Sequence, residues 1–285
     1  MACILLTGAS GLLGQTLIRN FNSNGHTVII LNRPDMNKLN FSEVYQLDSV
    51  DVIVHCAALT DLAYCNQNQK FAYSSNVELT RSLVNLAQQY CCKFIYISSA
   101  GVYGDHGVNE IYTESSPTLP TNTHHLTKLL GEKIVSCTLD NYLIFRVGWL
   151  FSFAESDNDF IAKIVKSLDS IGFEESIVTN KEQFGNPTSV EFVSNCINSA
   201  ISSRVVGVYN LASSDTASRS EYVSYIVNYV RPDVLVKGKT HESFTILTKA
   251  SINEMVSSDH FATHFNILIP TWKEMLSSSL SNRSF

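Results

Sequence analysis

The stretch THHLTKLLGE (123–132) carries two side chains that can move or steer protons, His124 and Lys128. They are four residues apart in a helix-like pattern, so both would lie on one face of a helix. The pKa of a free histidine is about 6.5, so a protonated imidazole is a competent acid near neutral pH. The positive charge of Lys128 would lower the pKa of an acid beside it.

A third polar side chain, Ser99, ends the apolar run KFIYISS (93–99). Hydride transfer to a ketone creates an alkoxide that needs a proton, and a hydroxyl bonded to the carbonyl oxygen assists the transfer. We therefore predict that Ser99, His124 and Lys128 form the catalytic site of an oxidoreductase.

A glycine-rich turn, TGASGLLG (7–14), stands between an apolar run and a helical pattern. Glycines at positions 8, 11 and 14 would allow a tight turn and a close approach of the backbone to a pyrophosphate. The first turn of the following helix would offer free N–H groups and the positive end of its dipole. The context predicts a dinucleotide-binding site.

The end of the second apolar run, LNRPD (31–35), bears on which dinucleotide is bound. Sites that prefer NAD usually place an acidic side chain there to bind the ribose 2′-hydroxyl, whereas Arg33 could pair with a 2′-phosphate. NADP(H) is therefore favoured over NAD(H). The alternative is that Arg33 is solvated and Asp35 binds the ribose.

Apolar runs alternate with helical patterns along the first half of the chain. Continuous apolar runs are typical of parallel strands that are covered on both faces. The runs predicted to be strands are 3–7, 27–31, 51–58, 93–99 and 142–149, followed by 207–213. The fold class is thus α/β, a Rossmann-type doubly wound parallel sheet. We predict a dinucleotide-binding domain over 1–148 and a smaller substrate domain over 149–285, with about 187–213 packing back on the first domain.

Composition excludes several classes of protein. Of 285 residues, 45% are apolar, and the net charge of −6 argues against nucleic-acid and membrane-surface partners. The N-terminal residues lack the features of a signal peptide. The seven cysteines show no CxxC pair and no Cys/His spacing of a metal site, so we expect reduced thiols, a cytoplasmic location and no metal.

These segments, in this order, resemble extended short-chain dehydrogenases/reductases, and within them the dTDP-4-dehydrorhamnose reductase group. The resemblance covers about residues 3–210. The segments that carry it are TGASGLLG, DVIVHCAALT, SSNVELTRSLVNLA, YISSAGVYG, YTESSPTLPTNTHHLTKLLGEK, LIFRVGW, DNDFIAKIV and KEQFGNPTSVEFVSNCINSAI. The implied activity is NADPH-dependent reduction of a 4-keto-6-deoxy nucleotide sugar bound between the two domains. A homodimer is an expectation of the resemblance alone.

The resemblance also implies roles for individual residues. Those implied to contact the cofactor are Gly8, Ser10, Gly11, Leu12, Leu13, Gly14, Asn40, Phe41, Ala57, Ala58, Leu59 and Lys128. Those implied to face the sugar nucleotide are Thr60, Ser99, Tyr103, Trp149, Gln183 and Asn186. Asn40 departs from the family pattern, which has an acidic residue at this position.

Further departures fall on the substrate side of the site. His124 stands where the family has its proton-donating tyrosine. Ala100 and Gly101 replace an aspartate and an aromatic residue, and Ala63 replaces another aspartate. The glycine turn and Lys128 are retained, so cofactor binding is expected even where standard catalysis is in question.

Three interpretations of His124 remain open. It could protonate the alkoxide itself, or another group such as Tyr103, His125 or a water could do so. In the third, the chain no longer reduces a substrate and serves as a binding or regulatory subunit, as does the regulatory subunit of methionine adenosyltransferase, which is similar in fold. A nucleotide-sugar epimerase is a further alternative, although the QFGNPT stretch favours the reductase group.

Overall fold

The computed structural model describes residues 1–32, 49–106, 110–152, 159–170, 172, 176–244 and 248–280. Its strands, in chain order, are β1 (Cys3–Thr7), β2 (Thr27–Leu31), β3 (Val52–His55), β4 (Lys93–Ser99), β5 (Tyr142–Val147), β6 (Trp149–Phe151), β7 (Ser176–Asn180), β8 (Phe184–Gly185), β9 (Pro187–Ser189), β10 (Gly207–Leu211), β11 (Ala217–Ser218), β12 (Leu235–Lys239) and β13 (Asn253–Glu254).

The helices, in the same order, are α1 (Leu12–Ser23), α2 (Leu62–Gln67), α3 (Gln69–Tyr73), α4 (Leu79–Tyr90), α5 (Thr123–Thr138), α6 (Phe160–Asp169), α7 (Val190–Ile201), α8 (Arg219–Val230), α9 (Asp259–Phe265) and α10 (Trp272–Leu280). None of the helices in these ranges is long and apolar enough to cross a membrane. All seven cysteines are free thiols.

Six strands form a central parallel sheet in the order β10-β5-β4-β3-β1-β2. The chain passes from β2 to the other side of β1 to begin β3, so the strand order reverses between β1 and β3. Ligands of doubly wound sheets bind beyond the carboxyl ends of the strands at such a reversal. The predicted fold class is confirmed.

Helices cover both faces of this sheet, which is why its strands are apolar throughout. On one face, Leu13 and Leu17 of α1 pack with Val193 and Ile197 of α7. On the other face lie α4 and α5, with Val135 of α5 in the same cluster as the α4 side chains. The side of α4 that faces the sheet is buried at four positions, Thr80, Leu83, Val84 and Ala87.

The helical segment from Gln69 to Tyr90 is not one continuous α-helix. A π-helical turn, Ser74–Glu78, separates α3 from α4. The extra residue in this turn brings the side chain of Asn76 inward, where only 1% of it is exposed. Such turns recur at functional sites because they redirect a side chain without ending the helix.

The residues after 149 form a smaller unit with its own core. Short sheets pair β6 with β9, β7 with β12, and β8 with both β11 and β13. Residues of α6, α8 and α10 pack around Phe151 and Trp272. The segment 187–213, predicted to return to the first domain, supplies α7 and the edge strand β10, which pairs with β5.

Candidate functional site

The glycine turn after β1 has the shape of a phosphate cradle. Gly8 has a φ of +75°, and a Cβ there would lie 2.6 Å from the Ala57 nitrogen. A Cβ at Gly14 would lie 2.1 Å from the Gly8 oxygen. Gly11 begins α1 with no side chain to cap it, and the first turn holds no acidic residue. The residues therefore fit the pyrophosphate of a dinucleotide, which the helix dipole would stabilise.

The other residues predicted to contact the cofactor differ in their exposure to solvent. Ser10 and Gly11 are exposed, and Leu12 is half-buried. The Leu13 side chain packs in the core, so only its backbone remains for a ligand. Arg33, Asn40 and Phe41, together with Asp35, lie outside the described residues.

A buried hydrogen-bond path leads from this turn into the fold. Thr7 Oγ1 accepts from the Ala57 N–H at 3.2 Å and contacts His55 Nδ1 at 2.7 Å. His55 Nε2 lies 3.0 Å from Thr80 Oγ1, whose own hydrogen goes to the Asn76 carbonyl at 2.6 Å. His55 must therefore donate from Nε2 and accept at Nδ1. Burial, followed by the charge of Lys128, holds the pKa of His55 well below its ordinary value.

Asn76 continues the path by clamping the backbone of Leu59. The Leu59 N–H donates to Asn76 Oδ1 at 2.7 Å, and Asn76 Nδ2 donates to the Leu59 carbonyl at 3.1 Å and to Thr127 Oγ1 at 2.9 Å. Ala57, Ala58 and Leu59, predicted to follow the cofactor, are thereby fixed beside Gly8 at one end and beside α5 at the other.

His124 is held in one tautomer by the same backbone. Its Nδ1 lies 2.8 Å from the Leu59 carbonyl oxygen. A carbonyl only accepts, so Nδ1 carries the hydrogen and Nε2 of the neutral ring presents a lone pair. Burial, followed by the charges of His125 and Lys128, lowers the pKa of His124 to about 3, although the Leu59 bond opposes the shift. At neutral pH, His124 is therefore a hydrogen-bond acceptor and does not donate from Nε2.

His125 explains why residue 101 is a glycine. Its Nδ1 accepts from Asn122 Nδ2 at 2.9 Å, while Asn122 caps α5 by accepting the His125 N–H. A Cβ at Gly101 would lie 2.0 Å from His125 Cε1, so the imidazole occupies the space that any larger residue would need. Burial lowers the pKa of His125 to about 4. The ring of His125 thus fills the space beside Gly101.

Lys128 lies beneath His124 on α5 with 3% of its surface exposed. Its Nζ is 4.0 Å from the centroid of the Tyr96 ring, and no described residue accepts a hydrogen bond from it. The charge of Glu132 is already engaged by Arg146 at 2.7 Å. Burial lowers the pKa of Lys128 to about 7, and the charges of Cys56 and Glu132 oppose the shift only in part. This ammonium can therefore give up a proton near neutral pH.

Ser99 ends β4 at the same edge of the sheet as the glycine turn. Its oxygen accepts the Gly101 N–H at 3.2 Å, which leaves its own hydrogen free for a substrate oxygen. Ser99 pairs with Val147 of β5, and Trp149 follows two residues later. The chain therefore reaches Trp149 two residues beyond the β5 position that is paired with Ser99.

The Trp149 side chain contacts three residues that fix its position. A Cβ at Gly185 would lie 2.5 Å from its ring, and the guanidinium carbon of Arg219 lies 3.6 Å from the ring. Trp149 Nε1 donates to Glu254 at 2.9 Å. Gln183 is half-buried and donates to the Ser251 carbonyl at 3.1 Å, and Thr60 is exposed.

Two predicted ligand contacts are not brought to the site. Tyr103 is fully buried, and its hydroxyl donates to Asn210 at 2.7 Å. Asn186 is also fully buried, with its amide hydrogens bound to backbone carbonyls of 213, 215 and 256. Both are structural residues here, so neither is assigned to a ligand, and Tyr103 is not available as a proton donor.

Several residues that shape the site were not predicted from the sequence. They are Thr7, His55, Asn76, Thr80, Thr127 and Arg219. The signal that could have found the first two is a polar side chain inside an apolar strand, since buried polar groups need partners. Asn76, Thr80, Thr127 and Arg219 sit in ordinary helical patterns that give no such signal.

A parallel sheet with this glycine turn, a serine at a strand end and a buried lysine on the following helix defines the class of extended short-chain dehydrogenases/reductases. Within that class, the chain belongs to the RmlD substrate binding domain family, which matches residues 1–284.

Individual relatives are similar to this chain over nearly its whole length. The dTDP-4-dehydrorhamnose reductase of Escherichia coli (strain K12) is 25% identical over 287 residues, covering 95% of this chain and 94% of that one. The crystal structure of dTDP-4-dehydrorhamnose reductase from Yersinia enterocolitica is 26% identical with a TM-score of 0.89, covering 99% of both chains. That of the Bacillus anthracis reductase in complex with NADP has a TM-score of 0.91 at 24% identity, also over 99% of both chains.

Proposed function

We propose that this protein reduces the keto group of a 4-keto-6-deoxy nucleotide sugar, with NADPH favoured over NADH. Membership of the family along residues 1–284 supports this, as does the similarity to proteins named dTDP-4-dehydrorhamnose reductase. The NADP in the similar Bacillus anthracis structure supports the choice of cofactor. A role for Arg33 in that choice, a cytoplasmic location and a homodimer remain predictions.

The observation that carries the proposal is the buried ammonium of Lys128. A charged group with 3% exposure and no acceptor among the described residues is costly unless a ligand completes it. The hydrogen-bond path through Leu59, Asn76 and His55 connects its helix to the glycine cradle. A dinucleotide lying along that cradle would bring ribose hydroxyls to Lys128, which binds and orients them.

The residues then divide the reaction between them. When bound, the nicotinamide supplies the hydride. Ser99 donates its free hydroxyl hydrogen to the keto oxygen and polarises it. Lys128 is the candidate proton source, because its pKa is about 7 while that of His124 is about 3. Its proton would reach the alkoxide through the ribose hydroxyl that Lys128 binds, and the lysine would be left neutral. His124 accepts a hydrogen bond at Nε2 from a hydroxyl of the substrate or cofactor.

The test is consumption of NADPH with a panel of 4-keto-6-deoxy nucleotide sugars. The native chain should turn over at least one of them, and Lys128→Met should lower kcat by at least a hundredfold. His124→Tyr would lose the bond to the Leu59 carbonyl but gain a phenol, and reports whether an acid at this position is sufficient. If neither the native chain nor His124→Tyr consumes NADPH with any of these sugars, although calorimetry shows that both bind NADPH, the reductase proposal is overturned.

A second candidate function is that of a catalytically idle dinucleotide-binding or regulatory subunit. The observation that favours it is the pair of neutral histidines. The ring of His125 fills the space above Gly101, and His124 offers only a lone pair at Nε2. Under this alternative, the chain binds NADPH and responds to a sugar nucleotide without oxidising the cofactor.

A further inference from the structure

Arg219 is a cation whose hydrogen-bonding capacity is unused. It is the first residue of α8, and its guanidinium carbon lies 3.6 Å from the Trp149 ring and 4.8 Å from the Phe160 ring. Its backbone N–H donates to the Gln183 carbonyl at 2.8 Å. Among the described residues, nothing accepts a hydrogen from its side chain.

The nearby acid does not satisfy this guanidinium. Glu254 Oε2 accepts from Trp149 Nε1 at 2.9 Å, and no ion pair within 4.0 Å joins Glu254 to Arg219 in the described structure. Burial lowers the pKa of Arg219 to about 10, with Glu254 opposing the shift, so the side chain stays charged at neutral pH. By contrast, Arg146 and Arg231 are each bound to a carboxylate, at 2.7 and 2.8 Å.

The position of Arg219 relates it to the reacting end of the site. Val147 pairs with Ser99, Trp149 follows Val147 by two residues, and Arg219 stacks on Trp149. A substrate whose keto group lies at Ser99 and whose nucleotide portion extends past Trp149 would reach Arg219. Trp149 is itself fixed by Gly185 and Glu254, so the stacked guanidinium is presented in a defined orientation.

We propose that Arg219 binds the diphosphate of a nucleoside-diphosphate substrate while stacked on Trp149. A planar guanidinium fork matches two phosphate oxygens with parallel N–H bonds, and stacking leaves its edge free for them. The proposal deepens the reductase function and rests on it for the substrate class. Under this proposal, Arg219 makes the protein bind phosphorylated ligands more tightly than unphosphorylated ones.

The test is calorimetric binding of dTDP and of thymidine to the full chain. The native chain should bind dTDP at least tenfold more tightly than thymidine. Arg219→Met should weaken dTDP binding at least tenfold and leave thymidine binding unchanged, because Met keeps the contact with Trp149 but offers no donor. Arg219→Lys, which keeps the charge but not the fork, should fall between them. The matched control is Arg231→Met at the other end of α8, whose arginine pairs with Asp233 and should not affect either ligand.

Unchanged dTDP affinity in Arg219→Met, or equal affinities of the native chain for dTDP and thymidine, would overturn the proposal. NADPH affinity measured on the same samples shows whether Arg219→Met is folded. The reductase proposal is tested separately. If the chain binds dTDP through Arg219 but reduces no ketone, the diphosphate site is supported and the reductase activity is contradicted. Conversely, if Arg219→Met reduces the substrate with the native KM, the diphosphate-binding role of Arg219 is contradicted, while the reductase proposal still stands. The expected kinetic result is a KM raised about tenfold with little change in kcat.

Discussion

At the scale of single residues, the unusual feature is a buried, neutral histidine whose Nε2 carries a lone pair. The tautomer of His124 is set by the Leu59 carbonyl, and its charge is suppressed by burial and by Lys128. A proton donor at the end of hydride transfer must carry its proton at the working pH. In the proposed mechanism Lys128, with a pKa of about 7, meets that requirement, whereas His124, with a pKa of about 3, does not.

The pH dependence of turnover distinguishes the two donors. With Lys128 as the acid, kcat should be constant below pH 7 and fall tenfold per unit above it, since the lysine pKa is about 7. Bound phosphates can only move that limb upward, because negative charge favours the ammonium. With His124 as the acid, kcat would fall tenfold per unit from about pH 3, the pKa of that ring. The control, His124→Gln, should keep the shape of the native profile; a tenfold loss of native activity between pH 5 and 6 would assign the proton to the histidine.

Ser99 and Lys128 could be predicted as candidates from the sequence because their types and positions relative to strand and helix are local signals. The state of His124 could not be read in the same way, since its partner at Leu59 is 65 residues away. The misassignment of Tyr103 has the same origin. A tyrosine just after a strand looks available until the fold brings Asn210 to its hydroxyl.

At the scale of secondary structure, the contact between α5 and the turn after β4 is the most specific feature of this chain. His125 lies directly over Gly101 and fills the volume that a side chain there would take. Apolar runs and helical spacing predicted strand β4 and helix α5, but no periodic signal in the sequence shows that Gly101 and His125 are packed against each other. The same holds for the π turn that aims Asn76 at Leu59.

The pairing of Gly101 with His125 predicts a strongly coupled double-mutant cycle. Gly101→Ala should destabilise the protein by about 1–3 kcal/mol, the usual cost of overpacking, because its Cβ would overlap the imidazole. In a His125→Ala background, the same substitution should cost less than about 0.5 kcal/mol, since the space is open. Urea unfolding of the four proteins gives the coupling energy. If the losses in unfolding free energy of the two single variants simply add, the turn at residue 101 moves away and the new Cβ does not contact the imidazole.

At the scale of the whole molecule, the fold keeps three histidines neutral in its interior. His55, His124 and His125 are exposed by 0%, 7% and 4%, and burial lowers the pKa of each. The α/β class with a parallel central sheet could be predicted because it follows from local periodicity. The burial of these rings could not, since it depends on which loops meet at the edge of the sheet.

These three rings make the stability of the whole chain sensitive to acid. Between pH 6.5 and their folded pKa values, the unfolded chain binds more protons than the folded one, so the free energy of unfolding decreases as pH falls. At pH 5 the loss is about 2 kcal/mol for each of His124 and His125, whose folded pKa values are about 3 and 4, against a typical stability of about 5–15 kcal/mol. The lowered pKa of His55 adds a loss in the same direction. Urea unfolding at pH 7 and pH 5 measures it. His125→Asn should lose about 2 kcal/mol less than the native chain over this interval, because carboxylates contribute equally to both proteins. An identical loss in the two would mean that His125 does not stay neutral in the folded state.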